Sequence, residues 1–96
     1  MRIVALIAAD FGVTAAEIWQ ASRSSPEVVF ARQVAMYLAH TSLGLKFAEV
    51  GSCFSRDRTT AAHACRVVED RRDDIWFDCR IAALELACRV RTEDAR

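Results

Sequence analysis

Asp57 to Arg72 contains neither glycine nor proline, and Ala61, Ala64, Cys65 and Val68 recur at i, i+3, i+4 and i+7. A helix puts these four on one face, and their apolar character makes that face the buried one. Thr59, Ala62, His63 and Arg66 then fall on the opposite face, with Arg58 at its N-terminal edge. Hydroxyls, an imidazole, guanidiniums and a small methyl do not make an ordinary Glu/Lys solvated face. They suit base edges and phosphates: arginine forks onto guanine, threonine bonds a base edge or touches a thymine methyl, and alanine leaves room for close approach. Ser55 and Asp57 are both candidate N-caps for this helix.

The remaining segments also read as helices. Ile3, Val4, Ile7, Ala8 and Phe11 line an amphipathic run over 2–11, and Gly12 is placed to end it. Thr14 followed by Glu17 is a capping box for a short second helix to about Gln20. After the connector ASRSS, Ser25-Pro26-Glu27 combines an N-cap, proline at the first helical position and an acid in the first turn. That third helix is expected to reach Thr41, with Phe30, Val34, Tyr37 and Leu38 on one face and Arg32 off that stripe. Lys46 to Cys53 is a short fourth helix in which Phe47, Val50, Gly51 and Phe54 share a face. Gly51 inside it predicts a close approach by the next helix, where a Cβ would collide. A tight turn at 54–56 leads into the helix from Asp57, and two helices joined in this way form a helix-turn-helix.

A sixth helix is expected over 75–91 after the charged run Arg71-Arg72-Asp73-Asp74. It carries two apolar stripes: Trp76, Cys79, Ala83, Leu86 and Val90, and Phe77, Ile81, Leu84 and Cys88. Two arrangements are open. The helix packs back on the domain, or one stripe pairs with another chain as a homodimer. The expected organisation is a DNA-binding domain over 1–74 and a helical extension over 75–96.

One proline, three glycines and a 53% apolar composition place the chain among small all-α domains. Its net charge is zero, but residues 1–66 carry seven Arg/Lys against five Asp/Glu, and residues 67–96 six against eight. Such a weak field implies modest non-specific affinity for nucleic acid. The four cysteines are spaced by 12, 14 and 9 residues with no CxxC pair, which argues for reduced thiols in a cytoplasmic protein and no metal. The apolar N-terminal run is too short to span a membrane. His40 and His63 have no nucleophile arrangement nearby, so no enzyme activity and no cofactor are expected.

The stretch SRDRTTAAHACRVVE resembles the motif that opens the recognition helix in the C-terminal DNA-binding domain of the bacterial replication initiator DnaA, Gly-Arg-Asp-His-Thr-Thr-x-x-His-Ala. ARQVAMYLAHTSLGLKFAEVG and IAADFGVTAAEIWQASRS are similar to that family's preceding segments, so the likeness spans roughly residues 4–70. It implies an all-α fold of Trp-repressor-like arrangement with a helix-turn-helix, and double-stranded DNA as partner. By the resemblance, Arg32 reaches into the minor groove and Lys46 lies near a phosphate. Asp57 caps the helix or accepts from a base. Thr59 and Thr60 divide between a base edge and the backbone, His63 faces the groove, and Arg66 meets a phosphate. Arg56 either holds the turn, by pairing with Asp57 or Glu49, or touches DNA. The chain departs from the pattern in three places. The family's Gly-Gly-Arg is shortened to Ser55-Arg56, its His after Asp is Arg58, and its bulky pair after Thr-Thr is Ala61-Ala62. No Gly-x-x-x-x-Gly-Lys-Ser/Thr loop is present, so regulation without ATPase activity is expected. The alternative is a protein-interaction module on the same scaffold.

Overall fold

The computed structural model describes residues 2–20 and 25–94, with side chains described through residue 89. The connector at 21–24 lies outside the described residues, as does the side chain of Val90 in the first apolar stripe. The third helix, α3 (Pro26–Thr41), is the axis on which the others pack. Around it stand α1 (Arg2–Phe11), α2 (Ala15–Trp19), α4 (Phe47–Cys53), α5 (Arg58–Arg71) and α6 (Ile75–Asp94). Ala31, Arg32 and every residue from Val34 to Ala39 are buried, so α3 is enclosed nearly all round. Sequence periodicity marks one apolar face on this helix; the structure covers the others too, because neighbours sit on every side. No described helix is long and apolar enough to cross a membrane.

The helix boundaries follow the capping chemistry. Gly12 takes φ +68°, and the Val13 N–H returns to the Ala8 carbonyl at 3.1 Å, closing α1 in a Schellman motif. Thr14 and Glu17 form the complete capping box, with the Glu17 N–H donating to Thr14 Oγ1 at 3.0 Å and the Thr14 N–H to Glu17 Oε1 at 2.9 Å. Ser25 caps α3 by accepting from the Val28 N–H, ahead of Pro26. Asp74 caps α6 by accepting from the N–H groups of Trp76 and Phe77.

One apolar core runs through all six helices, from Ile3, Val4 and Ile7 through Ile18, Leu38, Val50 and Phe54 to Val68, Ile81 and Leu84. The two stripes of α6 have opposite fates. Ile81, Leu84 and Cys88 are buried and Phe77 is half-buried, whereas Trp76 is 83% and Leu86 55% exposed. The helix therefore packs back on the domain through its second stripe. Arg80 of α6 also pairs with Asp10 of α1 at 2.9 Å and lies over the Phe11 ring. Of the four cysteines, Cys65 and Cys88 are buried, Cys53 and Cys79 exposed.

A polar cluster ties α3, α5 and α6 at the far end of the domain. The Tyr37 hydroxyl donates to Glu69 Oε2 at 2.7 Å and accepts from Arg72 at 3.0 Å, and Arg72 reaches Asp78 at 2.6 Å and Glu85 at 3.1 Å. Burial, helped by the Glu69 carboxylate, pushes the Tyr37 phenol up to about 12. An unfolded tyrosine titrates near pH 10. The folded state thus holds its proton more tightly, and this contribution to stability is complete below about pH 10 and lost as pH rises towards 12. Denaturant titrations should show stability falling through that window, and Tyr37→Phe should flatten the fall.

Candidate nucleic-acid interface

The turn between α4 and α5 is built on a backbone contact at Gly51. A Cβ at this position would stand 2.7 Å from the Arg56 carbonyl oxygen and 2.8 Å from that of Asp57. The crowding expected at Gly51 is real, but it comes from the turn's own backbone rather than from the next helix. The Arg56 N–H donates to the Gly51 carbonyl at 2.8 Å, which holds the turn closed. Ser55, in the shortened segment, sits at φ +56°, a left-handed conformation that an L-residue adopts at a cost. Asp57, not Ser55, is the N-cap. Ser55→Gly should raise stability by about 0.5 kcal/mol, since relief of about 1 kcal/mol of strain is partly offset by glycine's greater freedom when unfolded. Thermal melts of the two proteins check this.

Asp57 accepts from the Thr60 N–H at 2.8 Å. The Thr60 backbone and hydroxyl, with a weaker contribution from the Thr59 N–H, hold its carboxyl below the usual range. Ala61, Ala64, Cys65 and Val68 are buried beneath α5. Thr59, His63 and Arg66 are exposed, and at 100° per residue they form one outward ridge. Arg58 and Thr60 are also exposed, on either edge of the ridge, and Ala62 is half-buried.

Two neighbouring grooves open between α3, α4 and α5. One, of about 520 Å³, is lined by His40, Lys46, Phe47, Ala48 and Arg58. The other, of about 460 Å³, includes His40, Phe47, Ala62 and Arg66 in its wall. Lys46, Arg58 and Arg66 are thus brought around a shared aromatic pair, His40 stacked on Phe47 at 4.4 Å between centroids. His40 Nδ1 lies 2.7 Å from the Leu45 carbonyl oxygen, which only accepts, so Nδ1 carries a proton. This platform is not apparent in the sequence, where the two rings belong to different helices. Lys46 is the residue before α4; its N–H donates to Glu49 Oε1 at 2.8 Å. Its ammonium has no lone pair with which to complete a capping box.

Arg32 is placed differently from the expectation of a side chain free to enter a groove. It is 6% exposed. Its Nε donates to the Ile18 carbonyl at 2.7 Å, and one terminal nitrogen donates to the carbonyls of Glu17 at 2.9 Å and Gln20 at 3.0 Å. The cause is the C-terminal end of α2, where the Glu17 carbonyl accepts only a long bond from the Gln20 N–H, at 3.3 Å, and the exposed carbonyl ends attract a cation. Arg56 joins the same cluster, donating to the Gln20 carbonyl at 2.9 Å and to the Phe54 carbonyl at 2.6 Å. It holds the turn through carbonyls rather than through Asp57 or Glu49. Burial, and secondarily the neighbouring Arg56 charge, lower the Arg32 pKa. Trp19 stacks on Phe54 at 5.0 Å and fixes α2 against the turn from the apolar side.

Comparison with known proteins agrees with this architecture. The family described as bacterial dnaA protein helix-turn-helix matches residues 1–68. Among curated proteins, the chain is 31% identical over 91% of its length to chromosomal replication initiator protein DnaA 1 of Chlamydia pneumoniae. It is 36% identical over 88% of its length to DnaA 2 of Chlamydia caviae, and 36% identical over 71% to DnaA of Desulfotalea psychrophila. The aligned part spans about a fifth of those relatives, 19% and 18% for the two chlamydial proteins. With the family motif carried on a capped, half-exposed helix behind a tight turn, the chain belongs to the bacterial DnaA helix-turn-helix family.

Proposed function

We propose that this domain binds double-stranded DNA sequence-specifically by laying α5 in the major groove. The observation that carries the reading is the ridge Thr59–His63–Arg66, exposed on a helix whose opposite face is fully buried. At about 1.5 Å per residue, α5 is roughly 21 Å long, enough to lie along a groove. Thr59, Thr60 and His63 face base edges in this reading, Ala62 permits close approach, and Arg58 forks onto a guanine or an adjacent phosphate. Lys46, ahead of α4, and Arg66, at the C-terminal end of the ridge, neutralise phosphates. Asp57 acts mainly as the cap that orients the first turn. Arg32 and Arg56 support the interface from behind by fixing α2 and the turn; for Arg32 to enter a minor groove, its bonds to three carbonyls would have to break. The proposed role is regulatory, in transcription or replication-initiation control, exercised by occupying sites and not by nucleotide hydrolysis.

Thr59→Ala should cost about 1–3 kcal/mol on the preferred site and little on random duplex. Lys46→Ala should weaken both alike and lower the salt slope by about one. Fluorescence anisotropy on the two duplexes separates these outcomes, and equal losses for both variants on both duplexes would remove the assignment of roles.

A further inference from the structure

The outward side of α6 carries Ile75, Trp76, Cys79, Ala82, Ala83 and Leu86, all exposed, and at 100° per residue they make one continuous apolar strip. Ile75 is 69% exposed, Trp76 83% and Leu86 55%, more than any other large apolar side chains described. A strip of this kind opposite a packed face marks a contact surface. Its edge indicates what covers it. Asp78 and Arg89 are three turns apart and so lie along the same edge, the acid towards the N-terminal end and the base towards the C-terminal end. Asp78 already holds Arg72 at 2.6 Å, but its side chain remains 46% exposed and can accept a second partner. Arg89 is exposed.

We infer that the partner is a second copy of this chain, docked with the two α6 helices antiparallel. In that orientation Asp78 of each copy meets Arg89 of the other, twice by symmetry. A parallel pair, whose two-fold runs along the helices, would set this edge against the opposite edge of the partner helix and lose the double Asp78–Arg89 match. The midpoint between Asp78 and Arg89 falls just past Ala83, and on the exposed side there Ala82 and Ala83 are small side chains that let the helices cross closely. A two-fold pair of this kind is isologous and closes on itself. The apolar area available is on the order of several hundred Å² per chain, below the roughly 800 Å² per partner of a standard interface, so the dimer is weak in isolation. Two DNA-binding copies held on adjacent sites would raise the effective concentration and tighten it. The contact itself is independent of the DNA reading.

Sedimentation equilibrium without DNA, over about 1–300 μM, tests it. The expected result is a mass rising from 10.7 kDa towards twice that value. Leu86→Arg and Ala83→Glu should each remain monomeric with an unchanged far-UV spectrum, since both side chains point to solvent. Leu86→Cys in a Cys53→Ser background should form a covalent dimer through Cys79 of the second copy under mild oxidation, at a yield that Arg89→Glu reduces. A wild-type monomer at every concentration overturns the proposal. So does a dimer that survives Leu86→Arg and Ala83→Glu, and a failure of the Leu86→Cys crosslink overturns the antiparallel arrangement.

Discussion

Gly51→Ala is expected to lower stability by about 3 kcal/mol or more, among the larger effects a single methyl can have. The added carbon would lie inside contact distance of the Arg56 and Asp57 carbonyl oxygens and 2.9 Å from the Asp57 carbonyl carbon. None of these is the end of a flexible side chain. Moving the Arg56 carbonyl strains the Arg56 N–H bond to Gly51; moving that of Asp57 disturbs the first bond of α5, from the Ala61 N–H at 3.2 Å. Helix propensity points the other way, since alanine is favoured over glycine by about 1 kcal/mol in a helix interior. Stabilisation by Gly51→Ala would therefore show that the turn yields freely. For a domain of this size, 3 kcal/mol corresponds to a drop in Tm of about 12–24 °C, easily read by circular dichroism. Any protein that remains folded should also bind DNA less well, because the same turn aims α5.

Arg32→Met is the second large effect, expected at about 3 kcal/mol from the loss of its charge-assisted bonds to the Glu17, Ile18 and Gln20 carbonyls. A five-residue helix such as α2 is not stable alone and depends on what holds its ends. Arg32→Lys should recover only part of the loss, because a single ammonium cannot span the acceptors as the guanidinium fork does. The DNA readout separates two roles. A residue that acts through the fold lowers affinity for preferred and random duplex by the same factor and lowers Tm with it. The minor-groove role implied by the family resemblance predicts a selective loss on an A·T-rich site with Tm unchanged.

The contrast between Arg32 and α5 shows what the sequence makes legible. The α5 face is a property of one helix: four apolar residues at helical spacing determine which side is buried, and the other side follows. The caps at Thr14, Ser25, Asp57 and Gly12 are local too, and each appears where the residue types place it. Arg32 depends on carbonyls from a helix 12 to 15 residues earlier, which no spacing on α3 reveals. The same holds for the two stripes of α6, where periodicity identifies both but tertiary packing chooses Ile81, Leu84 and Cys88 as the buried set. Ser55 is legible only as a polar residue in a short turn; its positive φ comes from closing Arg56 onto Gly51 with one residue fewer than the family pattern has.

The most direct test of α5 as a reader of DNA is the affinity of the intact chain for a DnaA-box duplex against a scrambled duplex over a salt series. The expected result is salt-sensitive binding to both, from the phosphate contacts of Lys46 and Arg66, with a clear preference for a specific sequence. Binding without preference for the box would direct the search to another target by selection from random duplexes. No binding to either duplex at low salt would contradict the account, and would leave the scaffold to a protein partner.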